Sequence, residues 1–151
     1  MIDLIKLYRA VKQTVPSGVS TKFNFVETAK IESGKFKPTK DTVAIYFKTA
    51  NNGVRTADGH YAIEFVRMIV NVYTSEGERG VLDGHALCKQ LCESFDCLFN
   101  TDFEIDGVEI SILDCKREGL YNYTGPHKSG VETFSINYLL TIEGGLDNGN
   151  K

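Results

Sequence analysis

The sequence predicts an α+β domain, an antiparallel-dominated sheet of about five strands with two helices packed on one face, in the order α-β-β-β-α-β-β. Three observations predict it. VEISILDCK and ETFSINYLLTIE alternate apolar and polar residues with period two, the pattern of a sheet covered on one side. DLIKLYRAVKQTV and DGHALCKQLCESF place apolar residues at helical spacing instead. The strand-like segments are adjacent in sequence, with only these helices interspersed, so the sheet is expected to be mainly antiparallel.

Taken in order, residues 2 to 15 set Leu4, Tyr8, Val11 and Val15 at helical spacing, with Ile5 and Leu7 widening the stripe; Pro16 and Gly18 end it. Thr21 to Thr28 alternates Phe23 and Phe25 against Lys22 and Asn24, a short strand. DTVAIYFKT puts Val43, Ile45 and Phe47 on one face of a second strand. HYAIEFVRMIVNVYT is long, β-branched and free of proline, and reads as a third. Its apolar phase moves from Tyr61, Ile63 and Phe65 to Val66, Met68, Val70 and Val72, which requires a bulge or burial on both faces. A bulge is expected. SEGERG then reads as a connection into a helix capped by Asp83 and stapled by Leu82 and Leu87. Its core stripe is Cys88, Leu91, Cys92, Phe95 and Phe99, and it ends near Asn100. Val108, Ile110 and Ile112 share a face of the fourth strand; Phe134, Ile136, Tyr138, Leu140 and Ile142 share one of the fifth.

Two connections are long. TANNGVRTADG joins the second and third strands through turn signals at Asn52-Gly53 and Asp58-Gly59, and REGLYNYTGPHKSG joins the last two. Residues 1–144 are expected to form one domain and 145–151 a flexible tail.

Composition narrows the function classes. Hydrophobic residues make up 42% of the 151 and charged ones 25%, ordinary globular values. A net charge of -3 offers no general attraction to nucleic acid or acidic membrane, and the basic stretch around Lys30, Lys35, Lys37 and Lys40 is interrupted by Gly34 and Pro38. No run approaches the roughly 18 apolar residues that span a bilayer. The charged N-terminal segment lacks a signal-peptide core, so a cytoplasmic origin and free thiols at all four cysteines are expected.

DGHALCKQLCESFDC holds one histidine and three of the four cysteines, yet its helical phase makes Cys88 and Cys92 small core residues. One rigid helix seldom supplies three zinc ligands, and Glu93, Asp83 and Asp96 would raise a nearby thiol's pKa. Asp-Gly-His occurs at 58–60 and again at 83–85, and Asp-Gly at both places reads as turn or cap chemistry. No phosphate-binding, dinucleotide, nucleophile-elbow or metalloprotease motif is present. No cofactor, metal or catalytic residue is assigned.

The helix DLIKLYRAVKQTV, the strand FVRMIVNVYTSEG leading into GHALCKQLCESF, and the closing GVETFSINYLLTIE resemble the tail terminator proteins of long-tailed bacteriophages, the tail-completion or minor capsid proteins. The resemblance covers most of the chain and rests on layout, since the family has no short diagnostic motif. It implies a non-enzymatic virion protein at the head-proximal end of the tail, made in the host cytoplasm. Such a protein forms a homohexameric ring that caps the tail tube, stops its polymerisation and docks the head-side connector. Neither specific nucleic-acid recognition nor membrane binding is expected. Loop length and composition point to the segments at 49–60 and 117–130 as docking surfaces, with Arg55, Asp58, Tyr121, Tyr123 and Lys128 as interface residues. The alternatives are a head-completion or other connector protein, a metal-dependent enzyme using His60, His85 and the cysteines, and a small-ligand domain built on a cavity.

Overall fold

Asp3 opens the first helix by accepting the backbone N–H groups of Ile5 (2.9 Å) and Lys6 (3.2 Å), two donors with no partner inside the helix. In this computed structural model, which describes residues 3–23, 41–49, 53–59, 61–126 and 130–143, α1 spans Leu4–Lys12. It buries Leu7, Tyr8, Ala10 and Val11, whereas Ile5 is 61% exposed and lies off the core stripe. Val15, past the helix end, still packs on the core.

The strands are β1 (Ser20–Phe23), β2 (Thr42–Thr49), β3 (Val54–Arg55), β4 (Tyr61–Ser75), β5 (Thr101–Ile105), β6 (Val108–Arg117), β7 (Asn122–Pro126) and β8 (Val131–Glu143). A second helix, α2 (Glu78–Phe95), follows β4. They form one sheet in the order β1-β2-β4-β8-β6-β5, with β3 on β4 and β7 on β8. The class is α+β, but the sheet has eight strands rather than five, and it is mixed, because β1 runs parallel to β2. Phe25 and the lysines at 30–40 lie outside the described residues.

No bulge interrupts β4 in its two main ladders. It pairs continuously with β8 from Ile63↔Glu143 to Ser75↔Val131, and with β2 from Val66↔Thr49 to Tyr73↔Thr42. The change of apolar phase reflects burial on both faces, as a central strand permits. Val66, Met68, Val70 and Val72 enter the main core, while Tyr73 on the opposite face joins Ala44 and Val131 in a second small cluster. A bulge does occur in β6, between Ile112 and Asp114. It inverts the strand's phase, so that Cys115 follows Ile110 and Ile112 into the core.

Three strands were not expected: the two-residue β3, which lies inside the segment read as a loop between the second and third strands, and β5 and β7. β5 and β6 form a hairpin closed by Asp106-Gly107, both in the left-handed region (φ 52° and 78°), a geometry for which Asp-Gly is favoured. β7 lies inside the segment read as a loop between the last two strands. β6 and β7 flank the same edge of β8 one after the other, at Arg117↔Tyr138 and then Asn122↔Ser135. Between them Glu118 still donates its N–H to the Asn137 carbonyl (2.8 Å), and Leu120 projects outward at 76% exposure.

The second helix starts one turn and a half earlier than Asp83 indicates. Gly77 is its N-cap, and Asp83 sits inside it, paired with Arg79 across one turn (3.3 Å). Leu82 is 59% exposed and makes no staple with the buried Leu87, and Phe99, past the end, is also exposed. Cys88, Leu91, Cys92 and Phe95 do form the buried stripe. α2 lies on β4 and β8, while α1 touches β2, β5 and β6, strands from both flanks of the sheet. The sheet therefore curves around a core shared by both helices. Among the described residues, no helix is long and apolar enough to cross a membrane.

Candidate functional site

Where β4 turns into α2, a buried carboxylate gathers three elements. Glu132, near the start of β8, is 3% exposed. Its Oε2 accepts the Gly77 N–H (3.0 Å) and its Oε1 accepts the Tyr123 hydroxyl (2.6 Å), so both oxygens are satisfied. The bond to Glu132 holds the Tyr123 hydroxyl proton and raises its pKa above the ordinary tyrosine value. Above this clasp, His85 Nδ1 lies 3.0 Å from the Tyr121 hydroxyl. The His85 ring stands edge-on to Phe134 (5.1 Å between centroids), and Tyr123 packs on the same Phe134 (5.1 Å).

The clasp fixes an aromatic surface. Tyr123 remains 41% exposed, Leu120 stands beside Tyr121 at 76%, and Leu82 lies one turn before His85 on the helix at 59%. Exposed apolar side chains of this kind are what partners cover. Gly84, the middle residue of the second Asp-Gly-His, allows the helix to come this close, since a Cβ there would lie 2.0 Å from the Phe134 ring. Tyr121 and Tyr123 are legible in the sequence as loop aromatics, but their partners His85 and Glu132 are not. A buried glutamate inside an alternating strand carries no local signal.

Arg55 and Asp58 stand elsewhere. Arg55 donates from Nε (3.3 Å) and Nη2 (3.0 Å) to the Gly59 carbonyl, and Thr56 bonds to Asp58, so both residues brace their own exposed turn. That turn follows β3, whose Val54 pairs with Ile63 near the start of β4, whereas Glu132 pairs with Thr74 near its end. The two predicted surfaces are thus separated by on the order of 40 Å of strand. They are not brought together. Lys128 and His60 lie outside the described residues.

No family model matches the chain, and no curated protein matches it either. Solved structures do. One of them covers 95% of this chain and 97% of its own at 18% identity, with a TM-score of 0.50, a likeness of fold alone.

The sulfur chemistry is muted. All four cysteines are free thiols, and Cys88, Cys92 and Cys115 are buried. Burial, then the neighbouring Cys92, pushes the Cys88 thiol up to about 12. Burial likewise raises Cys115, with Asp96 and Asp114 adding to it. Such thiols are poor nucleophiles at neutral pH. Among the described residues, no group of three or more His, Cys, Asp or Glu side chains is placed to hold a metal ion.

Proposed function

We propose that this chain is a structural virion protein, a tail terminator that assembles as a ring, caps the tail tube and docks the head-side connector. The observation that carries the reading is the separation of two exposed surfaces along one β4–β8 ladder, the Arg55–Asp58 turn near one end and the exposed Tyr123 of β7 near the other. A joint must hold one partner on each side, and a rigid ladder between two surfaces suits that task. The layout of α1, of β4 leading into α2, and of β8 adds the sequence resemblance. Repeated head-to-tail contacts close into a ring when their rotation permits.

Mass measurement in solution with negative-stain imaging tests the proposal. Six-fold rings are expected, alone or on addition of tail tubes. Substitution of Leu120 and Tyr123 to serine, or of Arg55 and Asp58 to alanine, should interrupt ring closure or head–tail joining. A protein that stays monomeric with tubes, and joins heads to tails normally with all four positions altered, would sink it.

A further inference from the structure

We propose that the sheet face opposite the helices carries a binding site for an uncharged saccharide, a reading independent of the tail assignment. A cleft of about 470 Å³ opens there over β4 and β8, between β2 on one side and β7 on the other. That volume falls in the range of small-ligand sites. In a chain where one residue in four is charged, no charged side chain among the described residues lines it.

The register sets out the floor. Asn71 on β4 faces Ser135 on β8, and in the next row on that face Ile69 faces Asn137. Thr124 and Thr133 bond to each other, and Thr133 also donates to the Gly125 carbonyl (2.9 Å), so those hydroxyls are taken. The side chains of Asn71, Ser135 and Asn137 have no such protein partner among the described residues. One row further, Arg67 is held by Glu118 through two bonds (2.9 and 3.2 Å), which closes the neutral region with a satisfied ion pair.

This lining selects by chemistry. An amide places a donor beside an acceptor and a hydroxyl can do either, which matches the hydroxyl groups of a sugar ring. Tyr46, Ile69 and Pro126 supply apolar surface for the ring's C–H face. An ionic ligand would lose hydration without gaining a counter-charge. An extended peptide is disfavoured because β4 and β8 are paired on both sides under the cleft, leaving no edge to augment.

Titration of the isotope-labelled full chain with maltotriose, with the trimer of N-acetylglucosamine, and with the neutral peptide acetyl-Gly-Ser-Thr-Gly-Ser-amide, followed by NMR, tests the proposal. At least one trisaccharide should shift the amides around Asn71, Ser135 and Asn137 saturably. Asn137→Ala should weaken that binding about fivefold, the worth of one neutral hydrogen bond, and Asn71→Ala with Asn137→Ala should abolish it while spectral dispersion stays intact. If that pair fails to fold, Ser135→Ala serves in its place. A response to the peptide alone, shifts spread away from the cleft, or none with either sugar would overturn the assignment.

Discussion

Replacing Gly84 with alanine should destabilise the fold, although alanine is the better helix former by about 1 kcal/mol. The added Cβ would stand 2.0, 2.3 and 2.8 Å from three carbons of the Phe134 ring, so ring or helix must retreat by well over 1 Å. The ring has little room. It is 1% exposed, with His85 against its edge and Tyr123 beside it. Retreat of α2 would instead loosen Leu87, Cys88, Leu91 and Cys92 from the sheet at once. Overpacking of this severity costs about 3 kcal/mol, leaving a net loss of about 2 kcal/mol after the helix-propensity gain. At this chain length that lowers the melting temperature by roughly 4–8 °C. Gly80→Ala should be worse, because its Cβ would meet the Ser75 carbonyl, which is backbone and cannot rotate away. Thermal and urea denaturation of the two variants beside Leu82→Ala, an exposed position expected to be neutral, reads the difference. Phe134→Leu in the Gly84→Ala background should recover part of the loss. A Gly84→Ala protein as stable as the parent would refute the close seating of α2 on Phe134.

Cys88→Ala and Cys92→Ala should each lower stability by about 1 kcal/mol through lost packing, as measured by urea midpoint. Thiol reagents at pH 8 should modify Cys97 in the native protein and spare Cys88 and Cys115; fast reaction of all four would contradict their burial. The raised thiol pKa values also give a pH dependence. Unfolded cysteine ionises near its ordinary value of 9.0 while the folded thiols stay protonated, so their stability contribution is complete below pH 9 and lost above it. Alanine at both positions should flatten that alkaline limb. Glu132→Ala should cost more than Glu132→Gln, since the glutamine carbonyl can keep the Gly77 N–H and the Tyr123 hydroxyl can turn to accept from its amide. At low pH, the bonds from Arg9 to Asp106 and from Arg67 to Glu118 hold both carboxyls below their ordinary range. Their stabilisation is present above that range and lost as pH falls through the depressed values, so Asp106→Asn and Glu118→Gln should soften the acid limb, an effect kept small by solvent exposure.

The periodic segments were legible because each residue's burial there follows its neighbours. The α2 stripe of Cys88, Leu91, Cys92 and Phe95 and the core face of β8 from Phe134 to Ile142 both appear where their period places them. The strand β5, absent from the expected order, does carry a local mark, since Asp106-Gly107 is a hairpin signal of the same kind as Asp58-Gly59. Other features had no such local mark. β7 is held by its ladder to β8, and its own residues, with a bulge between Tyr123 and Gly125, show no alternation. The start of α2 was displaced because Gly77 caps through its backbone, while the Asp83 side chain that looked like a cap serves Arg79.

By itself the sequence determined the α+β class, the two helices, the long central strand and the core character of the cysteine-rich segment, because those depend on interactions between residues a few positions apart. Tertiary structure alone decided the parallel β1–β2 pair, burial on both faces of β4, the Glu132 clasp beneath Tyr123, and the distance between the Arg55 turn and the aromatic patch. Each of those depends on residues far apart in the chain meeting in one register, and a hydrophobic period says which face of a strand is buried but not which strand will lie beside it.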